Sequence, residues 1–220
     1  MNLFRLDASI RGDQSVSRSV ANTAETAWTR THPSGTITRR DLAASPLPVD
    51  VWASAVTAGF LPDDQRTDIH LRATALATKF VDELVAADAY LLAVPLYNWG
   101  VSQHVKSWID LILTDPRLGP GQDPLLAGRP AALIVTRGGG YGPGTPRAGW
   151  DHATPYYRRI FGDLLGLQLH VNEIELTLAD LNPAMAPFRD QARQLLESGH
   201  ASAEKHGELL AQHVLSEAAR

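Results

Sequence analysis

Three short segments carry residue types suited to a phosphorylated, planar ligand. Ser9, Ser15 and Ser17, with Val16 between the last two, fall in a polar stretch that follows an apolar run and leads into a helix-patterned segment. Hydroxyls and free backbone N–H groups at such a junction can surround a phosphate. The stretch lacks the glycines of a dinucleotide fingerprint or a Walker loop, which favours a terminal monophosphate over a pyrophosphate or triphosphate. Taken alone, Ser17 also reads as an ordinary helix N-cap, and capping does not exclude anion binding. Further on, Pro95-Leu96-Tyr97-Asn98-Trp99-Gly100 offers two aromatics, an amide and a glycine that could turn freely around a flat heterocycle, or else an ordinary aromatic turn. The third segment, Thr136-Arg137-Gly138-Gly139-Gly140-Tyr141, lets backbone approach a ligand where no Cβ obstructs it, although such runs also serve merely as turns.

The elements implied by hydrophobic period would bring these segments together. Short apolar runs at residues 3–7, 36–41, 89–94, 131–136 and 168–175 alternate with helical patterns at 17–29, 68–87, 103–112 and 154–165, and a last helix runs from about Pro187 onward. Strands that are apolar nearly throughout, such as 89–94, belong in a parallel sheet covered by helices on both faces. Open sheets of this kind bind ligands at the carboxyl ends of their strands where the winding reverses, and all three segments follow strands. Residues 43–48, with two prolines, read as a loop.

Composition narrows the chemistry. The chain has 220 residues, 44% of them hydrophobic and 20% charged, with a formal net charge of -4, the balance of a globular protein expected to form one domain over residues 1–220. Twenty Lys and Arg against 24 Asp and Glu, with no dense basic run, argue against nucleic acid as a partner. There is no cysteine, so redox chemistry would require a bound cofactor. Neither a signal peptide nor an apolar stretch long enough to span a bilayer is legible, which points to the cytoplasm and away from membranes.

Ser9 with Ser15-Val16-Ser17-Arg18, then Pro95-Leu96-Tyr97-Asn98-Trp99, then Lys106-Ser107-Trp108-Ile109-Asp110, and finally Thr136-Arg137-Gly138-Gly139 resemble the FMN-dependent NADH-azoreductases and related quinone reductases in order and spacing. The resemblance implies a flavodoxin-like α/β fold with a five-stranded parallel sheet in the order 2-1-3-4-5. It also implies non-covalent FMN, with the phosphate on Ser9, Ser15, Val16 and Ser17 and the isoalloxazine bordered by residues 96–99 and 136–139. NADH or NADPH would be the donor, a quinone, azo or nitroaromatic compound the acceptor, and a homodimer the assembly. Tyr156, Tyr157, Ile160 and Phe161 offer apolar surface, part of which would suit that interface.

The sequence departs from the family pattern at Leu96, at Trp99 and in 101–103, and its 114–128 connection is short and poor in the aromatics that relatives place beside the flavin. Tyr141 and His152 are candidate donors facing the acceptor, or else surface or packing residues. The expected activity is two-electron transfer by a ping-pong mechanism with no covalent nucleophile. Alternatives are a flavodoxin-type electron carrier, a reductase of one dedicated aromatic metabolite, and a hydrolase built on Asp110, Asp151 or His152.

Overall fold

A computed structural model describes residues 1–119 and 121–218. Pro120, inside the 114–128 connection, and residues 219–220, inside the 1–220 span, lie outside the described residues. Five parallel strands form the sheet: β1 (Asn2–Asp7), β2 (Thr36–Asp41), β3 (Ala89–Tyr97), β5 (Pro130–Thr136) and β6 (Gln168–Ile174), in the spatial order β2-β1-β3-β5-β6. A two-residue strand, β4 (Gly100–Val101), folds back antiparallel on the end of β3. With that ribbon set aside, the order is the 2-1-3-4-5 read from the sequence.

Alternation along each strand divides the core in two. On one face Phe4, Leu6, Tyr90, Leu92, Val94, Leu133 and Val135 pack under α2 (Val51–Phe60), α3 (Asp68–Val85), α4 (Gln103–Ile112) and α5 (Thr154–Tyr157). On the other, Leu3, Leu91, Ala93, Ala132 and Ile134 meet α1 (Val16–Thr31) and α6 (Arg189–Ala218). Alanines are frequent on this side (Ala21, Ala24, Ala93, Ala132, Ala203, Ala211), and the two helices approach closely. A Cβ placed on Gly207 of α6 would stand 2.2 Å from the carbonyl oxygen of Ala24 in α1.

Two elements depart from the sequence reading. Helix α2 was not expected. It buries Val51, Ala55 and Ala58 at helical spacing but leaves Trp52 and Phe60 exposed, so its apolar residues ring the helix rather than mark a stripe. The expected helix 154–165 is α-helical only to Tyr157 and continues as a π-helix, Arg158–Leu164, in which Leu165 N–H donates to Ile160 O at 3.0 Å. Tyr157, Ile160 and Phe161 are buried in the first core, so they are unavailable to an interface; Tyr156 alone of that group is half-buried.

Candidate functional site

The loop after β1 is built around serines. Ser15 is the N-cap of α1, with extended backbone (φ -79°, ψ 122°) and a hydroxyl that accepts from Arg18 N–H at 3.2 Å. This corrects the cap assignment. Ser17 is the second residue of the helix, and its hydroxyl lies 3.0 Å from that of Ser15, both buried. The N–H groups of Val16 and Ser17, in the first turn, have no helical carbonyl to pair with. Ser9 Oγ accepts from Arg11 N–H at 3.3 Å, and the Tyr97 hydroxyl reaches across from β3 to Ser9 Oγ at 3.3 Å and Ile10 N–H at 3.2 Å.

Ser9, Ser15 and Val16 share a cleft of about 80 Å³ with Pro95, Leu96 and Tyr97 and with Thr136 and Gly138 from the end of β5. Arg11, Thr177 and Leu178 complete its wall, and no carboxylate lines it. Sequence reading did not single out those three. Arg11 stood in the serine loop as one unremarked cation, and 177–178 follow a turn made by Leu176 at φ 61°, a left-handed conformation that leucine does not signal. The acids beneath the cleft are compensated: Asp7 accepts from Arg5 at 2.8 and 3.1 Å, and Asp41 from Arg18 at 2.7 Å. Burial would raise the Asp41 carboxyl, but the Ala44 and Ala43 N–H groups and the Arg18 guanidinium hold it below the usual carboxylate range. Arg11 makes no ion pair among the described residues. Paired hydroxyls, first-turn N–H groups and an uncompensated guanidinium fit a phosphate monoester.

The β3–β4 turn is formed by Asn98 (φ 46°) and Trp99 (φ 64°), two left-handed residues joining the Leu96–Val101 and Tyr97–Gly100 pairs. It is a tight two-residue hairpin of the primed type. The turning is therefore done by Asn98 and Trp99; Gly100, expected to supply it, pairs in β4 with no positive φ. Neither Asn98 nor Trp99 lines the cleft. The half-exposed Trp99 ring meets Trp150 edge-on at 5.8 Å and 78°.

At the end of β5, Arg137 turns away from the cleft. Its guanidinium is buried and bonds Asp151 at 2.5 Å, Glu173 at 3.0 Å, Glu175 at 3.1 Å and the Thr154 hydroxyl at 3.1 Å, tying β5 to β6 and to the start of α5. Burial would raise the Asp151 carboxyl, but the Thr154 side chain and backbone, the Arg137 charge and Ala153 N–H bring it below its ordinary value. The glycines that follow admit protein side chains. A Cβ on Gly138 would meet Leu178 Cδ1 at 2.6 Å, one on Gly139 would meet Arg147 Nη1 at 2.6 Å, and one on Gly140 would meet Thr145 Cγ2 at 3.1 Å.

Tyr141 packs partly on the core and donates its N–H to Glu175 at 2.9 Å, whereas His152 is exposed and its N–H donates to Trp99 O at 2.9 Å; neither side chain lines the cleft. Asp110 pairs with Lys106 at 2.5 Å and Asp151 with Arg137, so neither is poised to activate a nucleophile. The 114–128 connection lies away from the cleft. Arg117 pairs within it with Asp115 at 2.8 Å and pins it to Asp82 of α3 at 2.7 Å, and Leu118 and Leu126 enter the core. The Arg117 hydrogen bonds hold the Asp115 carboxyl below its usual range against the effect of burial.

This geometry has known counterparts. Residues 1–197 match the Flavodoxin_2 family model, described as a flavodoxin-like fold. A protein of Parafrankia sp. (strain EAN1pec) named FMN-dependent NADH:quinone oxidoreductase is 37% identical over 206 residues, 93% of this chain and 95% of its own length. One of the same name from Frankia casuarinae is 40% identical over 192 residues, 86% of this chain and 90% of that one. Among solved structures, an azoreductase from Bacillus anthracis str. Sterne superposes with a TM-score of 0.77 at 24% identity, covering 94% of this chain and 99% of that one. An FMN-dependent NADH-azoreductase from Bacillus anthracis str. Ames Ancestor, solved in complex with FMN, gives 0.75 at 18%, covering 96% and 98%; at these identities both show the fold. On the match across its sheet and the two relatives spanning most of its length, the chain belongs to the Flavodoxin_2 family, among the FMN-dependent NADH:quinone oxidoreductases.

Proposed function

We propose that this chain is one catalytic domain that binds FMN without a covalent link and transfers two electrons from NADH or NADPH to quinones and, less readily, to azo or nitroaromatic compounds. The observation that carries the reading is the carboxylate-free cleft where Ser9, Ser15, Val16 and Arg11 meet the ends of β3 and β5. Relatives at 37% and 40% identity whose names specify FMN, NADH and quinone support it.

FMN, when bound, supplies the redox chemistry, taking a hydride from the nicotinamide and returning two electrons to an acceptor that follows at the same site. The chain binds, orients and shields. Ser15 and Ser17 hydroxyls, Val16 and Ser17 N–H groups and Arg11 would hold the phosphate, and Ser9 would help fix the loop that presents them. At about 80 Å³ the cleft has room for a phosphate-sized group, well below the roughly 300–1,000 Å³ of a complete small-molecule site. The ring would therefore extend along the strand ends, bordered by Leu96 to Trp99 and Thr136 to Gly139. Arg137 acts there as a strut that holds the β5 end through Asp151, Glu173 and Glu175, and not as a ligand.

The exposed Trp99 and Trp150 rings beside this edge give apolar surface that suits a two-fold partner, so we carry the homodimer forward with the interface placed here instead of on 157–161. No helix among the described residues is long and apolar enough to cross a membrane, and dependence on a nicotinamide donor accords with a cytoplasmic site of action. Anaerobic stopped-flow mixing of FMN-loaded protein with NADH tests the reading. Direct bleaching of the flavin absorbance within seconds is expected. Bleaching only in the presence of a second reductase protein would identify an electron carrier instead.

A further inference from the structure

A second cavity opens beside the cleft, with Gly138 and Leu178 in the wall of both. At about 630 Å³ it falls within the roughly 300–1,000 Å³ of small-molecule sites. Met185 and Phe188 give it an apolar side, and Phe188 is half-exposed. Arg147 supplies the opposing charge. Its guanidinium lies over the Gly139 backbone, where a Cβ would come within 2.6 Å of Nη1, so the glycine reserves the space that the cation fills. Arg147 makes no ion pair among the described residues. The cavity wall also holds the Glu175 carboxylate, whose Oε1 accepts from Arg137 Nη1 at 3.1 Å and from Tyr141 N–H at 2.9 Å, Arg137 being shared with Asp151 and Glu173.

A guanidinium without an ion-pair partner that lines one cavity with an aromatic ring and a thioether is a recognition element for a particular ligand chemistry. The planar fork binds a sulfonate, carboxylate or phosphate through paired N–H donors, and Phe188 and Met185 offer contact to a ring. We propose that this cavity is an anion-tethering lobe of the active site, in which Arg147 holds the anionic group of an aromatic ligand whose reactive ring lies along the strand end bordered by Gly138 and Gly139. The inference rests on the oxidoreductase reading above and assigns it a specificity residue. The ligand chemistry has two sources, an acceptor bearing an acidic substituent or the pyrophosphate of the nicotinamide donor.

The test compares wild type with Arg147→Gln, an exposed position where the substitution removes charge and leaves the fold alone. The first readout needs no turnover: binding of redox-inert 2-naphthalenesulfonate, followed by quenching of intrinsic tryptophan fluorescence. The dissociation constant is expected to rise about three- to tenfold in the variant, the range for one partly exposed charge-assisted contact, and the difference to shrink as salt is added. The second readout is KM on FMN-loaded enzyme for NADH, a sulfonated naphthoquinone and neutral benzoquinone. A rise for the sulfonated quinone assigns the lobe to acceptors, a rise for NADH assigns it to the donor, and kcat/KM for neutral benzoquinone stays unchanged in both cases. Equal binding of 2-naphthalenesulfonate by both proteins, or none by wild type, overturns the proposal. Failure of the flavin reading would appear separately, as a protein that binds no FMN.

Discussion

Ser17 carries the sharpest consequence at the scale of single residues. Its hydroxyl is buried against that of Ser15, at the second position of α1 and beside first-turn N–H groups. Ser17 does not itself line the cleft, but in Ser17→Asp a carboxylate stands behind Ser15, beside the phosphate assigned to this loop, and like charges so placed cost several kcal/mol. FMN affinity should fall by at least about tenfold, a conservative fraction of that cost. The helix tolerates the change, because an acidic side chain in the first turn complements the helix dipole. Fluorescence titration of the apo-variant with FMN checks this, and an unchanged dissociation constant would remove the serine loop from the site. The serine triplet was legible in the sequence, but the cap was not. Ser15 and Ser17 both precede helix-patterned residues, and only the extended backbone at Ser15 separates cap from first turn. The glycine run was legible only as open space. The sequence shows room at 138–140, and cannot show that Leu178, Arg147 and Thr145 arrive from distant positions to use it.

Among the elements, what was legible follows from how strongly each was patterned. The central strands β3 and β5 are nearly continuous apolar runs, and a run buried on both faces leaves a clear trace, whereas the edge strands β2 and β6 are largely polar and show it less. Helix α2 leaves none, since its exposed Trp52 and Phe60 blur the stripe. The β3–β4 turn hides for the opposite reason: Asn98 and Trp99 take left-handed backbone while the glycine beside them does not, so composition points to the wrong residue. Packing of α1 on α6 gives a prediction at this scale. Gly207→Ala brings a Cβ within 2.2 Å of Ala24 O and 2.9 Å of Ala27 Cβ, and backbone cannot yield as a flexible side chain does. The helices must separate, at a cost of about 1–3 kcal/mol. Urea unfolding should show a lower midpoint with an unchanged slope, and a variant as stable as wild type would contradict the close packing.

At the scale of the molecule, function follows from which loops reach the carboxyl edge of the sheet. The 114–128 connection does not: Arg117, itself braced by Asp115, fastens it to Asp82 of α3, and Leu118 and Leu126 anchor it in the core. This chain itself gives the edge few fixed walls around an acceptor beyond Trp99 and Trp150, the surface assigned above to a two-fold partner. Small quinones should therefore react well, because a flat ring stacks on the flavin without a lid, and bulky azo compounds more slowly and variably. Steady-state kcat/KM for a benzoquinone and an azo dye at saturating NADH measures the difference, and faster azo reduction would mean that the open edge favours large acceptors. All of this depends on FMN being held through its phosphate at the serine loop. The most direct measurement is a titration of the apo-protein with FMN and, in parallel, with riboflavin, which carries the same ring without the phosphate, each followed by flavin fluorescence. Saturable FMN binding is expected, with riboflavin at least about tenfold weaker, the loss of a charge-assisted phosphate contact. Equal affinity for the two flavins, or binding of neither, would contradict it.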